Sequence, residues 1–367
     1  MFKTMGIINL DSEPDLFNEL TYFRCGASLP YAGKYRLIDF VLSNMVHAGI
    51  ISVAVFVRKK YRSLMDHLSH SGAWDLDRKK GGVFILPPDW NDPTDHSKGD
   101  LRHFHNNMDF FHRGQADYVL FSGAQQVCHI DFRAVMAHHL ETGADVTVVC
   151  HRTEPAEEHK SCWRLTIGDD GRVRQFSMDE NNPNVFLNMY LMRKDLMLDL
   201  VRQCIAHGAE NFLWDGIIQQ TASLRVQAYE HTGILQTINT VESYYKHSMS
   251  LLKPHVYREL FQQPKPVYTK IKDEPPVKYL ETAEVRNSLV ANGCVIAGQV
   301  ENSILFRGVR VQEGVTVKNS IIMQRCTLGK GAYLENVILD KDVTITDGSR
   351  LIGSQMRPYV IPKRKVI

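Results

Sequence analysis

A chain of 367 residues is long for one ordinary domain and suits two. Apolar residues make up 44% and charged residues 23%, the balance of a soluble globular protein, and a net charge of +2 argues against bulk attraction to nucleic acid or membrane. The seven cysteines are scattered with no CxxC pair, which suits a reducing cytosol better than a disulfide framework or a zinc site. No run approaches the roughly 18 apolar residues of a membrane span, and MFKTMGIINL lacks the apolar core of a signal peptide. A cytoplasmic protein is expected. The sixteen histidines show no HExxH-like metal spacing.

In chain order, Gly6–Asn9 reads as a first strand. Nucleotide-binding α/β folds follow that strand with glycines, which let backbone amides approach phosphate. Here the loop carries Asp11, Glu13, Pro14, Asp15 and Glu19, with no glycine and no base. Further strands are predicted over Ser52–Val57, Tyr118–Ser122, Asp145–His151 and Phe186–Met192. Amphipathic stretches at Asp39–Ala48 and Phe132–Thr142 have helical spacing. Such alternation argues for an α/β domain with a mainly parallel sheet over 1–253, ligands sitting at the carboxyl ends of its strands.

From 254 the pattern changes. Pro254, Pro264, Pro266, Pro275 and Pro276 mark 254–283 as a linker rather than a helix or inner strand. Asn-Ser then recurs at 287, 302 and 319, and Asn336 continues the series, at spacings of 15, 17 and 17 residues. Each unit, such as NSIIMQRCTLGKGAYLE, holds short aliphatic runs separated by turn residues. That period predicts a left-handed parallel β-helix within 284–367, with about four coils. A solenoid with open ends and flat faces is expected to mediate assembly.

This order resembles bacterial ADP-glucose pyrophosphorylase over nearly the whole chain. GKYRLIDFVLSN at 33–44 is similar to that family's GGK[FY]R[IL]IDF.LSN stretch. KIKDEPPVKY at 270–279, NSLVANGCVIAGQVENSILFRGV at 287–309, YVLFSG, ETGADVTVV and TVESYYKHSMSLL also fit. The resemblance implies a nucleotidyltransferase-like (Rossmann-like) first domain and an activity that joins ATP and glucose 1-phosphate into ADP-glucose and pyrophosphate. It also implies Mg2+, tetramers and allosteric control in glycogen synthesis.

Phosphoryl chemistry of this kind needs cations, backbone donors and metal-holding carboxylates. Matched to the family without gaps, the catalytic arginine of AGGxGTRLxPLT falls on Leu16, and its glycines on Asp11, Ser12 and Pro14. Carboxylates facing a triphosphate would each cost about 1–4 kcal/mol even when well solvated. The lysine of RAKPA falls on Gly26, and GTAD on Gly99-Asp100-Leu101-Arg102. Gly114-Gln115-Ala116-Asp117 looks like GTAD but ends a helix, because a strand follows at once. The metal aspartate of SGDH falls on Gln125, the second on Thr237, and the sugar-phosphate lysine on Asp179. Asp215 survives, with Trp214 in place of its lysine neighbour.

The pattern resembles the GlgD-type, non-catalytic subunits of this family. The resemblance implies no cofactor in this chain and Mg2+ only in a GlgC-type catalytic partner, the two forming a hetero-oligomer of tetrameric size. It implies no nucleic acid and no membrane as partners. Arg24, Lys34 and Arg36, with Arg58, Lys59, Lys60 and Arg62, lie where the family binds allosteric anions, here phosphate, sulfate or a sugar phosphate. Arg24 and Arg36 match family arginines, whereas Arg58–Arg62 depart from the usual TQY element. Arg307 and Arg310 are further candidates. An active nucleotidyltransferase with a displaced site is the alternative. A β-helix acyltransferase is disfavoured, since 284–353 holds no histidine.

Overall fold

The computed structural model describes residues 3–69, 71–78, 81–88, 99–262 and 265–367. The chain forms two compact units that interleave in sequence. The first comprises 1–14, 40–61 and 68–237; the second comprises 15–39, 62–67 and 238–367.

A nine-stranded mixed sheet builds the first unit. Gly82–Leu86, Ser52–Phe56, Thr4–Asn9 and Tyr118–Ser122 lie side by side, all parallel. Ile7, Ile8, Val53, Ala54 and Val55 are fully buried, as expected of parallel strands covered on both faces. Asn184–Arg193 then joins antiparallel to Tyr118–Ser122 and carries the rest of the sheet. On one part it pairs with Arg164–Ile167, itself extended by Val173–Ser177. On another it pairs with Val146–Arg152, which takes Val226–Glu230 in parallel. Helix Phe132–Thr142 forms where periodicity predicts it: the Asp131 side chain accepts from Arg133 N, and Gly143 closes the helix at φ 57°.

In the second unit three five-stranded parallel sheets stack into a left-handed β-helix. The rungs run from Lys278–Tyr279 to Tyr359–Ile361. There are five, one more than the asparagine series suggests, because the last rung, Thr344–Ile345 to Tyr359–Ile361, carries no such asparagine. The repeat has a direct physical reading. Asn287, Asn302, Asn319 and Asn336 all hold φ between 41° and 53°, a left-handed turn that asparagine tolerates better than most residues. The serines form an inner ladder. Ser303 N donates to Ser288 Oγ (3.1 Å), Ser320 N to Ser303 Oγ (3.0 Å), and Val337 N to Ser320 Oγ (3.1 Å). Between the coils, Val300, Val317, Leu334, Ile322 and Leu339 fill a continuous core.

Residues 15–39 belong to this same unit. The buried Tyr244 hydroxyl donates to Pro30 O at 2.8 Å, and the Arg24 guanidinium meets Asp340. The proline-rich stretch corrects one expectation, since Pro254–Phe261 is a helix. Pro254 occupies the first helical turn, where its missing N–H has no helical partner to lose. Pro264 lies outside the described residues. Among the described residues no helix is long and apolar enough to cross a membrane.

Candidate functional site

In the first unit, the loop after Thr4–Asn9 is folded in and held by its own acids. Asp11 Oδ2 accepts from Arg58 Nε at 3.0 Å and lies 2.6 Å from His103 Nδ1. Asp100, just before helix Leu101–Asn106, accepts from Asn9 Nδ2 (2.5 Å) and from Phe212 N (2.8 Å). Burial pushes the Asp100 carboxyl up, and its hydrogen bonds with Phe212 and Asn9 oppose that.

Glu13 is the most telling residue. Its Oε1 accepts from two backbone amides, Ala124 N at 2.5 Å and Gln125 N at 2.9 Å. The Gln125 amide in turn donates to Pro14 O at 2.8 Å. Gly123 leaves room for this contact: a Cβ there would meet Glu13 Oε1 and push the carboxylate aside. Desolvation raises the Glu13 carboxyl to about 7 despite the two amides. The acid that looked merely hostile to a triphosphate thus closes the loop against the 123–125 turn.

The positions where metal carboxylates would stand are neutral and engaged. Gln125 is buried and bonded to Pro14. Thr237, fully buried, donates to Gln126 Oε1 at 2.8 Å and lies 3.2 Å from His159 Nε2. A hydroxyl and an amide held this way do not make a hard-cation site, so Mg2+ does not fit. Among the described residues no group of three or more His, Cys, Asp and Glu could hold a metal. Asp179 sits in an exposed turn and accepts from Asn181 N at 3.0 Å. Asp215 accepts from Asn211 N at 2.9 Å, and Trp214 stacks on Trp163 with centroids 5.3 Å apart. Helix Met108–Arg113 ends at Gly114, and strand Tyr118–Ser122 follows. In the second unit, Leu16 is 47% exposed and bridges Thr240, and Gly26 starts a short 3-10 turn against Phe17. The centre is catalytically degenerate.

The basic residues divide between the units. Arg58, Lys59 and Lys60 belong to the first, where Arg58 holds Asp11. Arg24, Lys34, Arg36 and Arg62 belong to the second. The fully buried Arg24 makes two 2.6 Å bonds to both oxygens of Asp340. Arg36 Nη1 donates to Ser63 O at 2.6 Å and to Ser63 Oγ at 3.0 Å. Burial lowers Arg36 to about 10, Asp39 opposing and Arg24 reinforcing. Lys34 is exposed, its ammonium 5.1 Å from the Tyr35 ring centre. Arg62 and Ser63 line a cavity of about 380 Å³ with Phe23, Asp66, Lys363 and Arg364.

Lys341, Lys363 and Arg364 were not singled out from the sequence. Arg364 N donates to Lys341 O at 3.1 Å, which sets the two segments side by side. Burial, then Arg36 and Arg24, push the Lys341 amine down to about 6. Lys363 is lowered by burial and by Arg364. The available signal was the break from aliphatic to charged residues at Asp340-Lys341-Asp342 on a late coil.

The sequence profile of the nucleotidyl transferase family matches residues 17–180, and that of the GlmU-like C-terminal hexapeptide matches 275–357. The chain is 38% identical over 363 residues to the glycogen biosynthesis protein GlgD of Bacillus subtilis, covering 98% of this chain and 96% of that one. It is 40% identical over 316 residues to a protein of the same name from Geobacillus stearothermophilus, covering 86% and 83%. It is 34% identical over 330 residues to the glucose-1-phosphate adenylyltransferase of Thermomicrobium roseum, covering 88% and 77%.

Proposed function

Because the chain belongs to the GlgD branch of the glucose-1-phosphate adenylyltransferase family, we propose that it works as a regulatory subunit beside a GlgC-type catalytic partner. The setting is cytoplasmic glycogen biosynthesis, and the assembly is a hetero-oligomer of tetrameric size. The carrying observation is Glu13: its carboxyl accepts from the amides of Ala124 and Gln125 and ties down the loop that the family pattern fills with phosphate-binding glycines. The cavity lined by Arg62, Lys363 and Arg364, with Arg36 bonded to the Ser63 that also lines it, supports the regulatory half of the reading. Its ligand is an anion of the phosphate, sulfate or sugar-phosphate class. Arginine's planar fork suits two oxygens of such a group. Arg24, already bonded to Asp340, positions the site.

The test is an assay of purified chain with ATP, glucose 1-phosphate and Mg2+. The expected result is no ADP-glucose above background. The chain co-expressed with a GlgC-type subunit should co-purify with it and change its response to effector anions. Turnover of roughly 1–1000 per second by the isolated chain, or failure to associate with the partner, would overturn the reading.

A further inference from the structure

In the first unit, the parallel strands Thr4–Asn9, Ser52–Phe56 and Tyr118–Ser122 gather donors at their carboxyl ends. Arg58 follows the second of these strands, the amides of Ala124 and Gln125 follow the third, and His103 lies in helix Leu101–Asn106. Open α/β sheets bind ligands at this end. Guanidinium, imidazole and paired backbone amides are donors of the kind that hold anions. Here each of them meets an acid of the chain's own loop. The Asp11 side chain, 3% exposed, gives Oδ2 to Arg58 Nε and to His103 Nδ1. Glu13 gives Oε1 to both amides. A further bond from Arg58 to Gly99 O fixes the guanidinium in place. The donor set is larger than the two carboxylates use. His103 is 1% exposed, and among the described residues its Nε2 is buried with no hydrogen-bond partner. An unanswered buried polar atom costs about 1–3 kcal/mol, which a loop serving only to fill space does not account for.

We propose that residues 10–14 act as an internal plug: the carboxylates of Asp11 and Glu13 stand in for the oxygens of a polyphosphate chain and hold shut an anion site that the first unit still carries. The plug works by occupancy. Each carboxylate takes the hydrogen bonds that an external anion would need, and being tethered it is present at a high effective concentration. An external polyphosphate therefore binds only the fraction of molecules whose loop is displaced, and its apparent affinity is reduced by that fraction. The inference rests on the geometry of this loop and not on the choice of partner subunit.

Metal-free tripolyphosphate is the probe, titrated calorimetrically into the whole chain while amide hydrogen exchange is read over residues 119–128. Anion binding at other basic faces is common to wild type and variants and leaves that segment unchanged. Wild type should gain no protection there. Glu13→Ala removes one carboxylate of the plug, so exchange at 123–125 should speed up. Tripolyphosphate at millimolar concentration should slow it again, binding about tenfold or more tighter than to wild type. Glu13→Gln keeps an oxygen on the two amides and should stay close to wild type. Adding Arg58→Gln to Glu13→Ala should abolish the gain. ATP in place of tripolyphosphate should show the same gain, because the phosphate chain carries the recognition; a gain for ATP alone would overturn the proposal. Thermal melts establish which variants fold. Should Glu13→Ala fail to fold, Asp11→Asn keeps the shape of the side chain while releasing Arg58 and His103, and should show a smaller gain of the same sign. No gain in the folded variants, or a gain that survives the loss of Arg58, would show that the loop is no plug. Neither result bears on ADP-glucose synthesis or on association with a catalytic subunit, so the regulatory reading is judged by its own assay.

Discussion

The Glu13 carboxyl accepts two backbone amides where water solvates it poorly, and its proton affinity is raised to about 7. A carboxyl raised on folding contributes stability that is complete below the unfolded value near 4.5 and is lost as pH climbs through about 7. Wild type should therefore lose on the order of 2–3 kcal/mol between pH 5 and 8 from this group. Glu13→Gln keeps the accepting oxygen and removes the titration, so its denaturation midpoint should stay flatter over that range. Parallel pH profiles for the two proteins would contradict this account. At this scale the sequence was legible in what it lacks. Leu16, Gln125 and Thr237 announce a missing arginine and missing metal ligands. It was not legible that Glu13 turns inward, because that depends on Gly123, 110 residues away, leaving room for its oxygen. Lys341 was missed for a related reason: a lysine in a repeat looks like any surface lysine until the coil's facing direction is known.

One corner in each of the first four coils takes a left-handed residue that is always asparagine, at 287, 302, 319 and 336. Asn319, at φ 47°, tests the point. Asn319→Ala puts a Cβ-bearing side chain with no local polar group into that conformation and should cost about 1–2 kcal/mol. Asn319→Gly should stay within about 1 kcal/mol of wild type, freedom at the corner offsetting chain entropy. Equal unfolding midpoints for alanine and wild type would show that the corner is unstrained. The corners made this domain readable from a period alone. The antiparallel half of the large sheet was harder. Val173–Ser177 alternates burial only loosely, and Asn184–Arg193 shifts register between Phe186 and Tyr190, so neither shows a clean period of two. Pro254–Phe261 was hidden by its first residue, since proline at a helix start and proline in a linker look alike in sequence.

For the molecule as a whole, two grammars in sequence do not become two units cut at one point. Residues 15–39 and 62–67, which precede most of the large sheet, are completed by the β-helix. The paired guanidinium and carboxylate of Arg24 and Asp340 are 316 residues apart. On the ribosome that separation becomes time. At about 5–20 residues per second, Arg24 waits roughly 15–60 s after its own synthesis before Asp340 is made. Through that interval the N-terminal segment is an unfinished surface, open to chaperones and proteases, while Thr4–Asn9, Ser52–Phe56 and Tyr118–Ser122 can already pair. Nascent chains stalled before residue 340 should be cleaved within 15–39 by a limiting protease, and released full-length chains should resist. Early protection of that segment would mean that it folds without its distant partner. The same delay makes the last coils a checkpoint: a message truncated late in its reading frame yields a chain whose beginning, as well as its end, is marked for disposal.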